Sequence, residues 1–100
     1  MLAKLQPFQK VLLDAAEVIK ECGWYAGLHR PYTGHAPQCA YTAIWKAAGR
    51  DDGCEVQQAA ERRLYESLGL TGRASFAIPA WNDAQPSAAE VIKALQEAAL

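Results

Sequence analysis

Apolar side chains recur at intervals of three and four residues along most of this chain, a spacing that predicts helices. Phe8, Val11, Leu12, Ala15, Val18, Ile19 and Cys22 share one face, with Lys10, Asp14, Glu17, Lys20 and Glu21 largely on another. Pro7 suits the first turn of that helix, where a missing N–H is no loss, and Gly23 suits its end. A second helix is expected from Gln38 to Ala48, with Ala40, Ala43, Ile44 and Ala47 inward, Tyr41, Trp45 and Ala48 flanking, and Gly49 as its stop. Arg50-Asp51-Asp52-Gly53 reads as a turn in which Asp51 or Asp52 accepts from the free N–H groups of a third helix. That helix runs to about Leu68 on a stripe of Val56, Ala59, Ala60, Leu64 and Leu68, with Glu61 and Tyr65 beside it and Gly69 ending it. Ser87-Ala88-Ala89-Glu90, preceded by Pro86, has the Ser-x-x-Glu capping-box pattern and opens a last helix that buries Val91, Ile92, Leu95 and Ala98 or Ala99.

Two segments interrupt the periodicity. Residues 24–37 hold three aromatics, both histidines, Gly and Pro, which predicts a folded aromatic loop. Connections of this length in a small domain are disproportionately functional. From Leu70 to Trp81, Gly72 and Pro79 bracket a run of Phe76, Ala77 and Ile78 too short to predict a helix, so a partly extended or one-turn connector is expected. The expected fold is all-α: one compact domain spanning residues 1–100, of about four helices, with an aromatic loop and a partly extended connector. Short strands within those two segments are the foreseeable departure.

Composition narrows the function classes. With 51% hydrophobic and 21% charged residues in a chain of 100, there is enough apolar material for one core and not for two. A net charge of −1, with Lys and Arg scattered, gives no basic face for duplex nucleic acid. No run approaches the roughly 18 apolar residues of a membrane span, and Gln6 and Pro7 interrupt the start before a signal-peptide core forms. Cys22, Cys39 and Cys54 are odd in number and follow no disulfide framework, so reduced thiols in a cytoplasm are the expectation.

The order of features carries a resemblance: Gly23-Trp24 after the first helix, a Gly-containing loop, Cys39-Ala40 opening a helix with Ala43-Ile44, and Trp81-Asn82-Asp83 before Ala88-Ala89-Glu90-Val91-Ile92. It resembles a family of small uncharacterised proteins of actinobacteria and their phages. The resemblance implies a helical fold and an accessory role, without an activity to transfer, and directs attention to Trp24, Cys39 and Trp81-Asn82-Asp83. In that family a small residue, often Gly, stands where this chain has Thr42 or Ala43, and Arg-Thr where it has Pro86-Ser87.

Candidate chemistry gathers in the irregular segments. Cys39 falls in the first turn of a helix, where the macrodipole favours a thiolate; His35 lies four residues earlier, and Asn82 or Asp83 is available to orient the imidazole. That is a candidate catalytic set for acyl or thioester chemistry. The competing reading, which base rates favour, makes Cys39 a small hydrophobe under the loop. Cys22, His29, His35 and Cys39 are zinc-type ligands but lack a Cys-x-x-Cys hook, so no metal and no cofactor is assigned. Trp24, Tyr25, His29, Arg30, Tyr32, Trp81 and Asn82 are the candidate binding residues, since aromatic anchors beside short polar groups suit recognition. Against that, Trp81 can fill a gap between helices while Asn82 and Asp83 bond nearby backbone. The leading expectation is an interaction or regulatory protein whose partner is another protein or a second copy of itself, with neither duplex nucleic acid nor a membrane involved.

Overall fold

The computed structural model describes residues 4–26, 37–49 and 55–100. Among them are five helices: α1 (Pro7–Cys22), α2 (Ala40–Ala47), α3 (Glu55–Ser67), α4 (Ala74–Asp83) and α5 (Ala88–Ala98). The fold is all-α as expected, with one more helix than the periodicity predicted. None of these helices is long and apolar enough to cross a membrane.

α1 is the central helix and packs against α2, α3 and α5, burying Val11, Leu12, Ala15, Ala16 and Ile19. Ala40 and Ala43 of α2 and Ala60 of α3 are fully buried in the same core as Leu12, Ile44, Leu64 and Leu95, and such small residues let helix backbones approach closely. On α3 the buried face is Gln57, Ala60 and Leu64, with Val56 half-buried and Ala59 exposed. The buried face is therefore rotated from the expected stripe, and it includes a glutamine that the apolar pattern left out. α3 ends in a Schellman turn: the Leu70 N–H donates to the Tyr65 carbonyl at 3.1 Å and the Gly69 N–H to Glu66 at 3.1 Å, with Gly69 at φ 66°.

The end of α5 is closed by side chains from two other helices. Gln9 Nε2 donates to the Ala99 carbonyl at 2.9 Å, and Arg63 donates to Ala98 at 3.2 Å and to Leu100 at 3.0 Å. These occupy carbonyls that a helix C-terminus leaves without intrahelical donors, and the guanidinium also complements the dipole. Arg63 lies over the Phe8 ring, 5.7 Å from its centroid, so one side chain joins α1, α3 and α5. At the other end of α5, Ser87 is the N-cap in extended conformation, but its side chain makes no capping bond. The capping-box pattern thus marked the right boundary without its hydrogen bond, leaving Glu90 in the first turn to favour the dipole.

The segment expected to be a partly extended connector is α4. Pro79 sits inside it and removes the donor that the Ser75 carbonyl would have met, yet Ser75 is exposed and water can replace that donor. What holds the helix is burial: Ile78 is completely buried and Trp81 packs against the core from α4. A ten-residue helix is marginal alone, so tertiary contacts with α2 and α3 decide its state over local propensity. Ile78→Ala should therefore cost about 2–4 kcal/mol in urea unfolding. An effect within about 0.5 kcal/mol, as for an exposed connector, would contradict the packing of α4.

Candidate functional site

The aromatic segment leaves the end of α1 through Gly23, whose φ of 94° lies in the region that favours glycine. Trp24 and Gln38 then form an isolated parallel bridge: the Gln38 N–H donates to the Gly23 carbonyl at 3.0 Å and the Tyr25 N–H to the Gln38 carbonyl at 3.0 Å. Among the described residues this bridge is the sole β-type pairing, where short strands had been foreseen. It zips the two ends of the aromatic segment into a stem.

Asn82 of α4 sits behind the stem, completely buried. Its Oδ1 accepts from Trp24 Nε1 at 2.8 Å and from the Ala40 N–H at 3.0 Å; its Nδ2 donates to the Tyr25 carbonyl at 2.9 Å and to Asp83 Oδ1 at 3.4 Å. Two N–H donors facing one side of the amide and a carbonyl facing the other fix its orientation, since a flip would oppose donor to donor. One side chain therefore ties α4 to the Trp24–Tyr25 side of the stem and to the first N–H of α2.

The rest of the α2 N-terminus is held by Cys39 and Thr42. Cys39 is the N-cap in extended conformation, one position before the helical turn the sequence suggested. Its Sγ accepts from the Thr42 N–H at 3.5 Å, while Thr42 Oγ1 accepts from the Cys39 N–H at 3.1 Å. This is a capping box with sulfur in place of the usual hydroxyl, so Cys39 has a structural task although it is only half-buried.

The structure brings Trp24, Tyr25, Cys39, Asn82 and Asp83 into one neighbourhood, a grouping that their positions in the chain do not announce. His29, Arg30, Tyr32 and His35 lie outside the described residues, as do Asp51, Asp52 and Cys54. Asn82 was expected as a recognition residue or as the orienting group of a Cys–His pair, and the geometry gives it a structural task. Its amide is out of solvent, and both acceptor positions of Oδ1 are occupied by donors from within the chain. Of the catalytic candidates, Cys39 and Asp83 keep partial exposure. Trp81 packs against the core on one side and stays half-exposed on the other, and its carbonyl accepts from Gln85 Nε2 at 3.0 Å.

A second polar cluster, which sequence reasoning passed over, lies between α2 and α3. Gln57 is almost wholly buried and donates from Nε2 to Glu61 Oε2 at 2.9 Å, while its Oε1 has no hydrogen-bond partner. Desolvation raises the pKa of Glu61 above the ordinary carboxylate value, against the lowering effect of the Gln57 bond. Tyr41 is raised as well, first by burial and then by the negative charges of Glu61 and Cys39. The helical period placed Glu61 and Tyr41 at the edges of apolar stripes, which was the available signal. No group of three or more metal-type ligands occurs among the described residues.

Residues 4–100 match a family of unknown function, DUF6197, and the chain belongs to it. Neither a curated protein nor a solved structure gives a match.

Two outcomes test these clusters. Asn82→Ala strands the Ala40 N–H and the Trp24 indole without an acceptor and should cost about 3 kcal/mol in urea unfolding at pH 7. Asn82→Asp should be similarly harmful at pH 7, where an anion faces the Tyr25 carbonyl and Asp83, and less so near pH 4, where a protonated carboxyl restores a donor. Equal, small effects at both pH values would remove Asn82 as the tie. For Glu61 the raised folded-state pKa means that its ionisation opposes folding: the penalty is absent below the unfolded value of 4.5 and complete above the folded one. Glu61→Gln should accordingly raise Tm at pH 7–8, with the gain vanishing as pH falls towards 4.5; a gain that grows on acidification would reverse the assignment.

Proposed function

We propose that this chain is a small protein-interaction module, a cytoplasmic accessory or regulatory protein of actinobacterial or phage origin, which binds its partner through the outer face of α4 beside the aromatic stem. Its family supplies no activity, so the reading rests on the surface. The observation that carries it is Phe76, which is 69% exposed on a helix that is apolar nearly all round. Such a helix is normally enclosed, whereas α4 buries only Ile78 and Asn82.

At 100° per residue, Phe76, Ala80 and Ala84 follow one another along the exposed side, and Ala77 and Trp81 continue the same apolar face towards the core. Arg73 lies over Phe76, 5.8 Å from the ring centroid, and gives the patch a polar rim. Trp81 is then an anchor whose inner side is fixed by packing and whose outer side belongs to the patch. The Asn82 tie holds Trp24 and Tyr25 against the same helix, so the stem of the aromatic segment is carried with it. An apolar face of small residues with two aromatic anchors suits an amphipathic helix or an apolar groove on another protein.

A second reading places thiol chemistry on a carbonyl or thioester at Cys39, with His35 and Asp83; the partial exposure of Cys39 favours it. It shares no residue with the α4 patch. A photo-crosslinking phenylalanine analogue at position 76, introduced in the native cell, should trap one discrete second protein, while the same analogue at exposed Lys93 of α5 should not. Phe76→Asp should abolish partner binding and leave thermal stability within about 0.5 kcal/mol. Equal crosslinking from both positions, or none from either, would defeat the α4 reading.

A further inference from the structure

The outward face of α3 is a second surface, sharing no residue with the α4 patch. Three shallow grooves meet there with Ala59 in common. One, of about 290 Å³, is lined by Glu55, Gln58, Ala59 and Arg62. A second, of about 200 Å³, lies between Pro7, Phe8, Glu55, Val56 and Ala59. The third runs past Phe8, Ala59 and the arginines towards Glu66. Ala59 is exposed and forms a low floor, while Phe8 and Val56, both half-buried, stand beside it as apolar walls.

The charges on this face have a particular order. Glu55 opens α3, and Arg62 follows seven residues later, two turns along the same side of the helix. Both are exposed, and among the described residues neither has an ion pair or a hydrogen bond. Arg63, by contrast, is committed to the end of α5 and to Phe8. Opposite charges placed symmetrically about Gln58 and Ala59 are self-complementary. If a second α3 crosses antiparallel about a two-fold axis through that point, each Glu55 meets the other copy's Arg62, and each Gln58 lies over the other copy's Ala59.

We infer that α3 is a homodimer surface, on which a second copy of this chain packs its own α3 antiparallel over Ala59 and closes two reciprocal Glu55–Arg62 ion pairs. The two-fold arrangement makes the same patch serve both partners, as an isologous interface requires. The small floor at Ala59 permits close helix approach, and Phe8 and Val56 supply the apolar contact that exposed ion pairs alone lack. A contact built on one helix per subunit is at the low end of interface size, so the dimer is expected at high protein concentration.

Sedimentation velocity over a concentration series up to roughly 1 mM tests the assignment with the full chain. The expected result is a concentration-dependent shift from monomer to dimer. Glu55→Arg sets two guanidinium groups against each other across the interface, and Arg62→Glu does the same with two carboxylates; each should weaken the dimer at least about tenfold, a loss of roughly 1.4 kcal/mol. The double exchange Glu55→Arg with Arg62→Glu restores opposite charges and should recover most of the association. Circular dichroism of each variant confirms that α3 is intact, so failure to fold is distinguishable from failure to pair. A chain that stays monomeric throughout the series, or a double exchange no better than the single ones, overturns the inference. So does a dimer unaffected by either single exchange, which would be built on another face such as α4.

Discussion

The buried amide of Asn82 is the constraint on which the stem and the setting of α4 depend. An unpaired amide in the interior costs several kcal/mol, so a polar side chain survives there only if each of its groups is answered. Here the answers come from three places in the chain: the Trp24 indole and Tyr25 carbonyl, the start of α2, and the neighbouring Asp83. Apolar contacts could bury α4 in several rotations. A directional amide with four partners accepts one, and that rotation decides which side of α4 faces water.

The outward exposure of Phe76 follows from this. With Ile78 and Asn82 fixed inward, the residues roughly half a turn away are bound to point out, and those are Phe76 and Ala80 of α4 and its C-cap Ala84. An apolar outer face is therefore no accident of loose packing; it is the other side of a tightly specified inner one. The Cys39–Thr42 cap works in the same direction, because it leaves the first N–H of α2 free for Asn82 while satisfying the third. Helix capping and tertiary fixation share a single set of donors.

Most helices were legible from apolar spacing, since α1, α3 and α5 bury faces that repeat at the helical period and end at glycines or small turns. α4 was not, because its signal is composition without periodicity: an apolar segment with an internal proline reads locally as a break, and only packing of Ile78 reveals its state. Gln57 misled for a different reason. A buried glutamine is invisible to a hydrophobic pattern, which assigned its place to Ala59 and so rotated the α3 face. Trp24, Cys39 and Trp81-Asn82-Asp83 stood out in the sequence one by one, but their meeting did not. Trp24 and Asn82 are 58 residues apart, and no local rule pairs an indole N–H with an amide at that distance.

The stem formed by Gly23, Tyr25 and Gln38 separates the problem of holding the aromatic segment from the problem of its contents. Since the two ends are clasped by backbone bonds and by Asn82, the entropy of closing the chain between them grows slowly with its length, about 0.6 kcal/mol for each doubling. The clasp holds Trp24, Tyr25 and Gln38 in place through bonds made outside that intervening stretch. The boundary between constant scaffold and variable surface, in evolutionary or engineering terms, would then lie at the clasp, and a foreign peptide grafted there would inherit the register of Trp24 and Gln38.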